Sequence, residues 1–212
     1  MRRAWLVLLT MGALACGEES DQPLSPSGFV GAEVITPRPM PDVILTDANG
    51  APFPLAEKTR GMVTLLFFGY MHCPDICPVH LANIAAVLDK LPDEVRREIT
   101  VIFVTVDPAR DTMPALNQWV TGFDPRFIAL TGSDSLIRAA QLAAGLLTAQ
   151  RDTVSAAPGG GYLVGHASQV IAHTRDGLGR VQYPFGTRQR DWAHDIPKLI
   201  EFEKREARSE KR

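Results

Sequence analysis

Cysteine is scarce in this chain, with three among 212 residues. So few thiols exclude a disulfide-scaffolded mini-domain, which needs several bridges to stand in for a core. Positive charge is not in surplus either. The net charge is −2 and no stretch forms a basic patch, which argues against a nucleic-acid partner held through its phosphates. Long apolar runs are missing too. The N-terminal "AWLVLLTMGALA" is about a dozen residues, short for a membrane span. Internal repeats are absent, so a solenoid or propeller is excluded. What remains is ordinary: 45% hydrophobic residues and a mean hydropathy of −0.01 describe one globular domain with flanking segments.

The flanks read clearly. "MRR" and the apolar run after it have the build of an export signal over residues 1–15, and Cys16 follows in "ALACG". Bacterial lipoprotein signals end in a similar way, so Cys16 is a lipidation candidate. A cleaved secretory signal and an uncleaved anchor are the alternatives. All three place the domain outside the cytoplasm, on the periplasmic side of a bacterial membrane, where free thiols tend to be oxidised. Residues 16–41 are polar and rich in proline and glycine, which predicts a flexible tether. The domain is expected over 42–206, with a charged tail at 207–212.

Within the domain, "VILTDANGAPFPL" predicts a short hairpin about Asn49-Gly50. "MVTLLFFGY" is a near-continuous apolar run, as in a strand buried on both faces. Pro78 opens a helix with Leu81, Ile84, Ala85 and Leu88 at helical spacing. "ITVIFVTVD" is a second buried strand. "DTMPALNQWVTGF" is a helix capped by Asp111 or Thr112, and "RFIAL" a third strand. Ser133 caps a further helix. "AAPGGGYLVGHAS" reads as a flexible loop into two strands about Asp176-Gly177, and a last helix spans about Arg190 to Glu203. Alternating strands and helices with a closing hairpin imply an α/β fold, a thioredoxin-like three-layer sandwich with a short N-terminal hairpin.

With Cys16 set aside, the two remaining thiols are Cys73 and Cys77, at the end of a central strand and the start of the next helix. Reactive groups of open α/β sheets gather there, and a helix N-terminus favours a thiolate. A staple across so short a loop stabilises little. A redox pair and half of a metal clamp both remain. Soft thiolates select Cu(I) or Zn, and an imidazole would complete either site. Of the five histidines, His72 points away from a pocket above the helix. His80 reads as a solvated helix residue, His173 as a strand residue and His194 as a residue of the last helix. His166 stands apart, at the edge of the glycine-rich loop that should return over the thiols.

The blocks "FFGYMHCPDICPVHL", "VDPARDT", "FIALTG" and "YLVGHAS" occur in that order, and through them the chain resembles the Sco/SenC proteins. These are membrane-anchored thioredoxin-fold copper proteins that assist assembly of the copper A centre of cytochrome c oxidase. By position, the resemblance implies copper ligands at Cys73, Cys77 and His166. It implies a cargo of Cu(I), with Cu(II) also possible for such ligands, and a reversible disulfide between the cysteines. The implied partner is a copper-receiving oxidase subunit or another periplasmic copper protein. A turnover activity is not implied, although thiol-disulfide reduction of a partner's cysteines is the alternative role. The chain departs from the family pattern with Gly165 and Ala167 beside the histidine, Met71 before the motif, and Met113 where proline is usual. Asp107, Arg110 and Asp111 form either a charged rim near the thiols or a local ion pair with a helix cap. Met40, Met62, Met71 and Met113 read as filling residues, with Met71 closest to the motif, and Phe67 and Trp119 as core.

Overall fold

The structure is a computed structural model and describes residues 25–156 and 161–209. In chain order the elements are β1 (Ala32–Pro39), β2 (Ile44–Thr46), β3 (Pro52–Pro54), α1 (Leu55–Lys58), β4 (Val63–Gly69), α2 (Ile76–Leu88), α3 (Asp93–Arg96) and β5 (Ile99–Thr105). Then follow α4 (Met113–Thr121), β6 (Ile128–Leu130), α5 (Asp134–Ala143), β7 (Gln150–Ala156), β8 (Tyr162–Gly165), β9 (Val170–His173), β10 (Leu178–Tyr183) and α6 (Gln189–Ser209). Six strands form the main sheet in the order β1-β10-β9-β4-β5-β6. β4, β5 and β6 run parallel, while β9, β10 and β1 are each antiparallel to the strand beside them.

The centre is β4, whose seven residues are all buried. Its side chains alternate between two cores, as a strand's period of two demands. Val63, Leu65 and Phe67 face α2, α4 and α6 through Leu81, Ile84, Leu116, Val120, Trp192 and Ile196. Leu66 and Phe68 face α1, α5 and the β2–β3 hairpin through Leu55, Ile137, Ala140 and Leu45. This is the expected three-layer sandwich. The hairpin turn is set by Asp47, whose Oδ1 accepts from the N–H groups of Asn49 and Ala51, and by Gly50 at a φ of +76°. Ser133 caps α5 by accepting from the Leu136 N–H at 3.3 Å.

Three boundaries differ from the sequence reading. Residues 16–41 were expected to be a tether, but Ala32–Pro39 pair with β10 at the sheet edge. An edge strand tolerates the prolines that hid it, and its register shifts between Glu33 and Arg38. Phe29 is buried against Phe202, and Asp195 of α6 locks the segment in place. The Asp195 carboxylate, fully buried, accepts from the N–H groups of Val30 and Gly31 at 2.9–3.0 Å and from the Tyr183 hydroxyl at 3.0 Å. The ordered domain therefore begins before residue 42. At the other end, α6 continues through the expected tail to Ser209. The expected loop before His166 contains β8, which pairs with β7, a strand just before that loop, as a separate two-stranded sheet. The expected signal, Cys16 and the first part of the tether lie outside the described residues, as do 157–160 and 210–212.

Asp195 thus makes a prediction. Asp195→Ala strands buried donors and should lower unfolding free energy by about 3 kcal/mol in urea titration. A chain starting at Asp42 should unfold at lower urea than one starting at Ser25.

Candidate metal centre

β4 ends at Gly69, and the chain turns over the sheet edge through Tyr70, Met71 and His72 to Cys73. α2 opens at Ile76, two residues before Pro78, so Cys77 already lies inside its first turn. Cys73 is 8% exposed and Cys77 fully buried. The Cys77 N–H points at Cys73 Sγ, 3.5 Å away. A residue that sequence reasoning passed over makes room for this arrangement. A Cβ on Gly69 would stand 2.6 Å from Cys77 Sγ and 2.8 Å from the Phe103 ring. The one available signal was a glycine closing an otherwise bulky apolar run.

His166 follows directly on β8. Its Nε2 is 3.5 Å from Cys77 Sγ, and one ligand atom from each of Cys73, Cys77 and His166 lies within 4.8 Å of the others. The sequence-predicted trio is therefore assembled. His166 Nδ1 is 2.9 Å from the Ala167 carbonyl. A carbonyl only accepts, so the neutral ring carries its proton on Nδ1 and turns the bare Nε2 lone pair toward the sulfurs. The ring is held edge-on by Tyr70 at 5.6 Å and lies 6.1 Å from Phe67. Phe67 is fully buried, as read from sequence, and Trp119 packs half-buried beside Phe103.

The thiols divide their protons unequally. The hydrogen bond from Cys77, with help from the backbone N–H groups of the helix start, pulls the Cys73 thiol down to about 3, against the opposing effect of burial. Burial, and then the neighbouring Cys73 charge, push the Cys77 thiol up. The pair is one thiolate and one thiol, with the charge on the more accessible sulfur.

The other candidates separate cleanly. His80 was expected to be solvated but is 1% exposed. Residues 77, 80, 81 and 84 share one helical face, and that face lies on the sheet. The His80 ring packs between Phe67 and Phe185, and burial lowers its pKa to about 4. His173 in β9 is also buried, with its pKa likewise lowered to about 4 by burial. His194 pairs with Asp195 at 2.6 Å, far along α6. His72 is half-exposed, with Nδ1 3.4 Å from Asp111 Oδ1. Met40 fills the core, Met113 packs against it, and Met71 is half-buried with its N–H donating to Asp111 at 3.1 Å. Met62 is half-buried beside β4.

Asp111 does not cap a helix. Thr112 occupies the N-cap position of α4, without a side-chain bond. Asp111, 1% exposed, instead accepts from Thr105 Oγ1 at 2.6 Å and from Met71, tying the end of β5 to the loop that carries Cys73. Burial raises its pKa. Asp107 and Arg110 form the expected local pair, and Arg110 also donates to the Tyr162 carbonyl at 2.9 Å.

The SCO1/SenC family model matches residues 40–201 of this chain. The chain belongs to the SCO1/SenC family. A Stutzerimonas stutzeri protein named as copper-binding is 34% identical over 154 residues, covering 68% of this chain and 75% of that one. The Sco1 protein of Thermus thermophilus, solved in its apo form, superposes with a TM-score of 0.70 at 30% identity, over 81% of this chain and 97% of that one. ScoI of Bradyrhizobium japonicum, solved with copper bound, gives 0.63 at 28% identity, over 78% and 98%. The matched segment spans only part of some curated relatives: 29% of yeast mitochondrial SCO2 and 45% of a Rickettsia prowazekii SCO2-like protein.

Two outcomes follow from the electrostatics. At pH 6, iodoacetamide should label Cys73 well before Cys77, with a rate nearly flat from pH 5 to 8 because Cys73 is already ionised; mass spectrometry of the labelled peptide reads this. The two buried histidines resist protonation in the folded state. Their stabilising effect is complete above the unfolded value of 6.5 and is lost as pH falls toward about 4. Urea unfolding should show that decline, at most about 3 kcal/mol per histidine, and His173→Phe should flatten it.

Proposed function

We propose that this protein is an extracytoplasmic copper carrier that assists assembly of the copper A centre of cytochrome c oxidase. The observation that carries the reading is the convergence of Cys73, Cys77 and His166, with ligand atoms within 4.8 Å of one another. Two thiolates and one imidazole form a soft, low-coordinate set suited to Cu(I), and the same ligands can accept Cu(II). The copper-bound ScoI of Bradyrhizobium japonicum and the Stutzerimonas protein named as copper-binding support copper as cargo. Family membership supports the oxidase role.

Loading on reduced protein displaces the proton kept on Cys77, since only a thiolate binds. Cys73 already carries negative charge at neutral pH and is the point of first contact. With three protein ligands the ion keeps an open side, so a receiving protein's thiolate or imidazole can enter before Cys73, Cys77 and His166 let go. Oxidation of the thiolate–thiol pair to a disulfide by an external two-electron acceptor, with release of the one proton kept on Cys77, would remove both sulfur ligands and block loading.

A second reading is favoured by the split ionisation of the thiols. Cys73, ionised and the less buried of the two sulfurs, is suited to attack a partner disulfide, and Cys77 to resolve the mixed disulfide. Reduction of a receiving protein's cysteines is that role. Anchorage through Cys16, by lipid, is the proposed attachment to the membrane. Among the described residues no helix is long and apolar enough to cross one.

The test is an anaerobic Cu(I) titration of the reduced protein against a competing chelator. One tight equivalent is expected, with His166→Ala weakening it by at least about tenfold. Binding indifferent to His166 would leave thiol-disulfide exchange as the function.

A further inference from the structure

His166 sits outside the main sheet, at the end of a two-stranded hairpin whose ladder makes no pairing with β4 or β5. Backbone pairing therefore does not hold the imidazole over the thiols. The side chains that do so converge on β8 from two neighbouring strand ends. Arg110, in the turn after β5, donates from Nη1 to the Tyr162 carbonyl at 2.9 Å. Its guanidinium lies over the Tyr162 ring, 3.6 Å from the centroid, and 5.7 Å from that of Tyr70 on the other side. Its Nε pairs with Asp107, which is 2% exposed. The Tyr162 hydroxyl closes the loop by donating to Asp107 Oδ1 at 2.7 Å. Farther along β8 the Val164 N–H donates to the Tyr70 hydroxyl at 3.2 Å. Arg151 of β7 adds a second cation, 4.5 Å from the Tyr162 ring.

Resting on the copper-site reading, we infer that Arg110 is a positioning residue for copper: it pins β8 to the strand ends so that His166 meets the thiol pair. Arg110 touches neither the sulfurs nor the imidazole and acts through His166 alone. Its geometry explains why arginine is needed. One planar group must reach the Asp107 carboxylate from Nε and the Tyr162 carbonyl from Nη1 while its face stacks on an aromatic ring. A lysine ammonium keeps the charge but cannot make all three contacts at once. Tyr70 secures the same strand two residues nearer to His166, and Asp111 ties the Cys73 loop to β5, so removal of Arg110 loosens the imidazole without freeing it and leaves the two thiols where they are.

This predicts a specific pattern of coupling. Cu(I) affinity is measured by chelator competition for the unaltered protein, Arg110→Lys, His166→Ala and the double variant. Arg110→Lys should weaken Cu(I) by about tenfold, within the range seen when partners of metal ligands are lost. In the His166→Ala background the same substitution should change nothing, because the group it positions is already gone. X-ray absorption on copper-loaded Arg110→Lys should show weakened imidazole scattering with both sulfurs retained. Tyr162→Phe deletes one hydroxyl and gives a smaller version of the same pattern if Arg110→Lys does not fold. Equal losses in both backgrounds would overturn the inference and leave the three-ligand site standing. If His166→Ala itself leaves copper affinity unchanged, the copper-site reading falls and the inference with it.

Discussion

Two thiols buried side by side against one imidazole cannot both shed their protons unless something positive, or a covalent bond, takes the protons' place. That constraint organises the site. The low-dielectric setting that pushes the Cys77 thiol up is the price of packing its sulfur where a Cβ on Gly69 would stand 2.6 Å from it. Cys73 is pulled the other way by its partner's hydrogen bond. The reduced pair is therefore poised between two relaxed outcomes, a bound soft cation or a disulfide. The titration behaviour belongs to the pair and not to either cysteine.

The fold serves this pair by keeping three independent segments in register at one sheet edge. β4 brings the thiols, the end of β5 brings Asp107, Arg110 and Asp111, and β8 brings His166. Only the first two share a continuous hydrogen-bonded ladder, running from Val63↔Ile99 to Gly69↔Thr105. The Cys73 loop is tied to that ladder through Asp111, which holds the Met71 N–H and the Thr105 hydroxyl together. The strand that carries the histidine is tied through the stack of Arg110 on Tyr162 and through hydrogen bonds to Arg110, Asp107 and Tyr70. A site assembled in this way has two rigid members and one whose attachment is made by side chains.

The parts most legible from sequence were those whose burial is complete or whose period is regular. β4 was visible as an apolar run because both of its faces are covered, and the grouping of Cys73, Cys77 and His166 was legible through the motif blocks, since spacing alone left the histidine open. β1 was not, because an edge strand carries prolines and an irregular register that a central strand could not. β8 was read as loop and β7 left unassigned because their ladder lies off the main sheet and offers no long apolar stretch. His80 was misjudged on polarity: its spacing of three from Cys77 already placed it on the buried face of α2. Asp111 was assigned to the helix after it, whereas its hydrogen bonds run back to β5 and to the loop after β4, a connection that local sequence does not encode.

The antiparallel pairing of β1 has a geometric consequence. Ala32 pairs with Gln182, Tyr183 pairs with Val170, and Val170 pairs with Phe67 near the end of β4. The chain thus enters its sheet at the edge where the thiols sit, and the opposite edge carries the turn at Gly177. Before β1 the described chain lies over α6, with Lys198 Nζ donating to the Gly28 carbonyl at 2.6 Å and Phe29 against Phe202, so it crosses that helix before it enters the sheet at the thiol end.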